Sequence, residues 1–112
     1  MIMKAKKTNI SFVNGVPELV IQELLSHRAM YGYEIVQEIK RKTEGTLCFG
    51  EGCVYSILHK LEAQRLLSSS REIVKGRSRI VYRLSTRGKR QHSQCLERWR
   101  EIVSGVKAVV GT

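Results

Sequence analysis

The chain has 112 residues, of which 20 are Lys or Arg and 10 are Asp or Glu, for a formal charge of +10. A hydrophobic share of 42% excludes a disordered basic tail and marks a globular chain of one domain, with room for one appended helix. The surplus of positive charge calls for a polyanionic partner, nucleic acid ahead of an anionic membrane or an acidic protein.

Residues 1–11 read as a basic, flexible lead-in. Asn14-Gly15-Val16-Pro17 predicts a helix start, because proline is tolerated in a first turn. Leu19, Val20, Ile21, Leu24 and Leu25 carry that helix to about Ser26 and His27. Met30-Tyr31-Gly32 predicts a turn, with Gly32 permitting a tight one. Tyr33 to Lys42 follows as a second helix with Ile35, Val36 and Ile39 on its inner stripe.

Glu44-Gly45 and Gly50-Glu51-Gly52 punctuate a loop. Val54, Ile57, Leu58 and Leu61 then recur at helical spacing. The opposite face of that third helix carries Gly52, Ser56, His59, Lys60 and Ala63, with Tyr55 on its flank. It is small, polar and basic, and suits a groove better than a core. Leu66 to Val74 and Arg79 to Leu84 predict two strands joined by a turn at Lys75-Gly76-Arg77-Ser78.

Ser85-Thr86 is a cap for a last helix. Along it Leu96, Trp99, Val103, Val106 and Val110 form a stripe, widened by Cys95, Ile102 and Val109. A small three-helix domain offers no place to bury so long a stripe, so it predicts a dimerisation helix. The resulting fold class is α+β, mainly helical: a winged helix-turn-helix at residues 12–85 and a dimerisation helix at residues 86–112.

Residues Lys75 to Arg90 include seven basic side chains and no acidic one. The third helix would sit in a major groove, with Tyr55, Ser56, His59 and Lys60 near base edges or phosphates. The hairpin would reach phosphates or the adjacent minor groove through Arg77 and Arg79. Arg71, Lys75 and Arg83 would position phosphates. The bland alternative is a solvated charged surface. For the Tyr31-Gly32-Tyr33-Glu34 cluster, packing at a helix junction stands beside a phosphate contact by a tyrosine hydroxyl.

Trp99 is either a large interface anchor or part of an effector pocket that stacks a planar aromatic compound. The three cysteines Cys48, Cys53 and Cys95 lack framework spacing, which fits a reducing compartment. His92 and Cys95 share a helical face, but no zinc spacing is present, so neither a metal nor another cofactor is expected. No nucleophile with a base and no paired carboxylate stands out, so the chain does not read as an enzyme. No apolar run nears the ~20 residues of a membrane span, and no apolar core follows the basic start. The expected location is the cytoplasm.

Three segments carry a family resemblance. Met30-Tyr31-Gly32-Tyr33-Glu34-Ile35 resembles the PadR-like transcriptional regulators. Glu51 to Glu62 resembles that family's recognition helix, and Gly76 to Ser85 its wing. The likeness spans roughly residues 16 to 90. The chain departs from the family pattern at Cys53-Val54, Ser56, Arg65 and Ile80-Val81. The resemblance implies a homodimeric repressor of the short subfamily, bound to a palindromic promoter site in double-stranded DNA. In some members an aromatic residue placed like Trp99 helps bind planar compounds. The competing readings are an effector-sensing or protein-interaction adaptor with only nonspecific DNA binding, and an RNA-binding winged helix.

Overall fold

A computed structural model describes residues 12–111 of the chain. The basic lead-in at residues 1–11 lies outside them. The described elements are helix α1 (Phe12–His27), strand β1 (Met30–Tyr31), helix α2 (Gly32–Lys42), helix α3 (Glu51–Ala63), strands β2 (Leu67–Val74) and β3 (Arg77–Leu84), and helix α4 (Thr86–Val110). The three strands form one antiparallel sheet in the order β1-β3-β2.

Helix α1 starts earlier than its sequence suggested, so Pro17 lies inside it. Proline there forfeits one backbone bond. The buried Ile21, Leu24 and Leu25 further along anchor the helix to the core and outweigh that loss.

Met30-Tyr31 is a strand, not the expected turn. Met30 pairs with Tyr82 and Tyr31 with Val81, which completes the free edge of β3. Gly32 opens α2 without a left-handed φ. Its need for glycine is steric: a Cβ there would run into the Tyr55 ring from α3. At the same junction the Tyr31 N–H donates to Glu34 Oε1 at 3.4 Å, and Arg28 donates to Glu34 Oε2 at 2.7 Å.

Helices α2 and α3 are joined by residues 43–50. Thr43 organises that loop, its hydroxyl donating to the Ile39 carbonyl at 2.8 Å and accepting from the Leu47 N–H at 3.0 Å. Helix α3 ends in a Schellman motif. Leu66 N–H bonds Leu61 O and Arg65 N–H bonds Glu62 O, each at 2.9 Å. Arg65 takes φ +62° at the left-handed position, where glycine is unstrained.

The hairpin turn is shorter than expected. Lys75 and Gly76 alone make it, with φ of +52° and +78°, as a type I′ connection requires. Arg77 and Ser78 already belong to β3, opposite Val74 and Ile73. Leu66 precedes β2 and serves the α3 cap.

Ser85 caps α4, its hydroxyl accepting from the Gly88 N–H at 3.0 Å and donating to the Arg65 carbonyl at 2.8 Å. Gly88 lets α4 press against the Leu66 carbonyl, which a Cβ would strike. The core gathers Ile21, Leu24 and Leu25 with Ile35, Ile39, Val54, Leu58 and Leu61, closed by Leu67, Tyr82 and Leu84 of the hairpin base. At ~1.5 Å per residue the 25-residue α4 runs about 37 Å. It therefore outruns the helical core, and the described molecule measures 50 × 30 × 22 Å. Among the described residues no helix is long and apolar enough to cross a membrane.

Candidate nucleic-acid interface

Val54, Leu58 and Leu61 are buried, so the rotation of α3 is fixed and its opposite face is presented outward. Gly52, Ser56, His59, Lys60 and Ala63 are all exposed there, as the spacing predicted. Tyr55 is half-buried: its ring fills the space left by Gly32 and stands 6.4 Å from the His59 ring, centroid to centroid. Lys60 is already engaged, its Nζ lying 2.7 Å from Glu18 Oε2 on α1.

In the hairpin, alternation and register divide the side chains between two faces. Ser69, Arg71 and Ile73 share one face with Ser78, Ile80 and Tyr82. Ser70, Glu72 and Val74 share the other with Arg77, Arg79 and Val81. The first face is the one that meets α3, since the Ser69 hydroxyl donates to Glu62 Oε2 at 2.6 Å. Towards the tip that face turns to solvent, and there Arg71 donates to the Ser78 hydroxyl at 3.2 Å.

The basic residues singled out in the wing have different surroundings. Lys75 and Arg77 are exposed at the tip. Arg83 bonds the Ser70 hydroxyl at 3.0 Å and pairs with Glu72 at 3.1 Å. Hydrogen bonds from Ser70 and then Arg83 hold the Glu72 carboxyl below the usual carboxylate range. Arg79 is half-buried, its guanidinium 4.6 Å from the centroid of the Tyr31 ring. That contact joins β3 to the start of α2. Periodicity could not have signalled it, because its two members come from strands 48 residues apart in sequence.

Helix α4 divides along its length. Gly88 and His92 are buried against the domain. His92 Nε2 lies 2.7 Å from Glu23 Oε1, while exposed His27 meets Glu23 Oε2 at 2.9 Å. Hydrogen bonding to His92, more than to His27, holds the Glu23 carboxyl below its ordinary value against the opposing effect of burial. Of the expected dimer stripe, Leu96, Trp99 and Val103 are half-buried, as is Ile102. Val106, Val110 and the widening residue Val109 stand 55%, 71% and 87% exposed. Cys48, Cys53 and Cys95 are exposed free thiols. Among the described residues no three metal-ligating side chains cluster.

The Glu23–His92 and Glu18–Lys60 ties were absent from the sequence reading. Each joins residues more than 40 positions apart, and neither leaves a local pattern.

The model of the transcriptional regulator PadR-like family matches residues 21–94. A transcriptional regulator from Clostridium thermocellum is 26% identical, with a TM-score of 0.78 over 91% of this chain and 96% of that one. A PadR family transcription regulator from Clostridium difficile is 25% identical, with a TM-score of 0.75 over 87% of this chain and 100% of its own. An uncharacterized protein of Lysinibacillus sphaericus is 28% identical over 91 residues, 80% of this chain and 84% of that protein.

Proposed function

Because the chain belongs to the PadR-like family of transcriptional regulators, a family of DNA-binding proteins and not of enzymes, we propose that it is a homodimeric repressor of a palindromic promoter site. The observation that carries this reading is the pairing of the exposed polar face of α3 with the cationic wing tip, the wing tied to α3 through Ser69 and Glu62. Ser56 and His59 face the major groove, while Lys75, Arg77 and Arg71 hold phosphates beside it. Lys60, Arg79 and Arg83 support these contacts from partly committed positions, and Tyr55 sets the angle of the helix.

The exposed valines of α4 supply the second half of the proposal. Helix α4 (Thr86–Val110) serves dimerisation and residues 12–85 form the DNA-binding domain. A two-fold pair of such domains places its recognition helices one turn of DNA apart, ~34 Å. Trp99, half-buried beside that seam, is where a planar aromatic effector would stack.

The test is competition. The purified protein should prefer duplexes selected from a random-sequence pool over unrelated duplex by ~10³-fold or more. Equal affinity for both would overturn the repressor reading in favour of an adaptor that touches DNA only nonspecifically. Equal affinity for structured RNA would move the target to RNA.

A further inference from the structure

We propose that the wing carries an apolar contact for the DNA minor groove: Ile73, backed by Ile80, packs on the deoxyribose walls while the neighbouring cations hold the phosphates. The inference rests on the DNA-regulator reading above and adds to it a residue and a mode of recognition. Ile73 is 73% exposed and Ile80 37%, although both lie in a regular strand whose base is fully packed. A single exposed isoleucine is ordinary. What distinguishes this pair is its position and its surroundings.

Both isoleucines lie on the sheet face that meets α3, the face of Ser69 and Tyr82. A wing applied to DNA together with α3 therefore turns this face to the duplex. Ile73 lies four residues beyond Ser69, about 13 Å along the strand at ~3.3 Å per residue. Half a turn of duplex, ~17 Å, separates a major groove from the neighbouring minor groove. With α3 in the first, Ile73 arrives at the rim of the second.

Charge selects the occupant. Arg71 is exposed on the face of Ile73, Lys75 at the turn two residues on, and Arg77 across that turn on the opposite face. Glu72 is the only acid between Leu67 and Leu84, and it projects from the opposite face, engaged by Arg83 and Ser70. An apolar knob within a cationic collar matches sugar walls between two phosphate rows better than it matches a protein surface. A two-stranded ribbon is too wide to enter a groove ~6 Å across, so only side chains go in. Aliphatic side chains have no hydrogen bonds to offer base edges. Through Ile73 the wing would read groove width and deformability, not the donor and acceptor code.

Ile73→Thr removes apolar surface while keeping the β-branch that suits a strand. With the full chain and a duplex selected from a random pool, affinity should fall roughly tenfold. The slope of log affinity against log salt should stay unchanged, since no charge is lost. The melting temperature should also be unchanged, and Ile73→Val should restore most of the affinity. A minor-groove-binding polyamide should weaken the wild type more than Ile73→Thr. Affinity within twofold of wild type would overturn the inference. So would a loss accompanied by a shallower salt slope, which would assign the effect to the cations. Altered sedimentation with intact DNA affinity would make the patch a protein contact. If the wild type prefers no duplex at all, the regulator reading falls and this inference with it; if it does and Ile73→Thr matches it, only this inference falls.

Discussion

Replacing Gly32 with alanine sets two physical effects against each other. Gly32 opens α2 with an ordinary backbone conformation, so helix propensity alone predicts that alanine stabilises by roughly 0.5–1 kcal/mol. The structure predicts the opposite sign. The new Cβ would stand 2.5 Å from Tyr55 Cε1 and 2.6 Å from its hydroxyl oxygen, whereas ordinary contact begins near 3.4 Å. The ring must retreat by about 1 Å, and it is wedged against the core from α3, the proposed recognition helix. Overpacking of this kind costs roughly 1–3 kcal/mol, which exceeds the propensity gain.

The net loss should lower the melting temperature by roughly 5–10 °C in a domain of this size. It should also weaken specific DNA binding, because Tyr55 transmits the displacement to Ser56 and His59. The assay is thermal unfolding of the four proteins of a double-mutant cycle with Tyr55→Ala. Once the ring is gone, Gly32→Ala should be neutral or mildly stabilising, giving a coupling on the order of 1–3 kcal/mol. A Gly32→Ala protein that melts at or above wild type would refute the reasoning. An equal loss in both backgrounds would do so as well.

Gly88→Ala should be more damaging, because its Cβ would meet the backbone carbonyl of Leu66, which cannot rotate away. A loss of more than about 3 kcal/mol in urea unfolding is expected, and an unchanged midpoint would mean that α4 does not dock as described. Glu23→Gln should lower the melting temperature at neutral pH by loosening α4 from α1. Hydrogen bonding to His92 depresses the folded carboxyl below 4.5, so its contribution is present above that value and is lost as pH falls through the depressed one. The difference between variant and wild type should therefore vanish on acidification, and a constant difference would contradict the tie. Leu96→Asp combined with Val103→Asp should yield monomers by sedimentation, whereas a persistent dimer would place the interface elsewhere.

The local code of the chain was legible where one residue's neighbours in sequence decide its environment. The apolar spacing of Val54, Leu58 and Leu61 set the rotation of α3 and thereby exposed Ser56 and His59. Ser85 announced the start of α4, and Lys75-Gly76 lay within the expected turn. Errors arose where a distant partner decides. Met30-Tyr31 looked like a turn because the β3 edge that pairs with it lies some 50 residues away. Gly32 looked like a backbone device, but Tyr55 is the reason for it. The contact of Arg79 with the Tyr31 ring likewise left no sign in the sequence.

That redistribution of charge has a measurable consequence. Counted from sequence, six cations per protomer (Lys60, Arg71, Lys75, Arg77, Arg79 and Arg83) face DNA, and a dimer would show a salt slope near about −11 at ~0.9 per phosphate. In the fold, Glu18 holds Lys60, Glu72 holds Arg83, and Arg79 lies over Tyr31. Of these six, Arg71, Lys75 and Arg77 remain with neither an ion pair nor a ring contact among the described residues, so the expected slope is about −5. Glu18→Gln should release Lys60 in each protomer and steepen the slope by about 2. The same change should raise affinity most at low salt, where phosphate neutralisation contributes most. A wild-type slope near −11 would mean that DNA breaks these pairs on binding. Exposed ion pairs are worth so little that a phosphate could in principle displace either carboxylate. The slope therefore measures directly whether the intramolecular partners of Lys60 and Arg83 survive contact with the duplex.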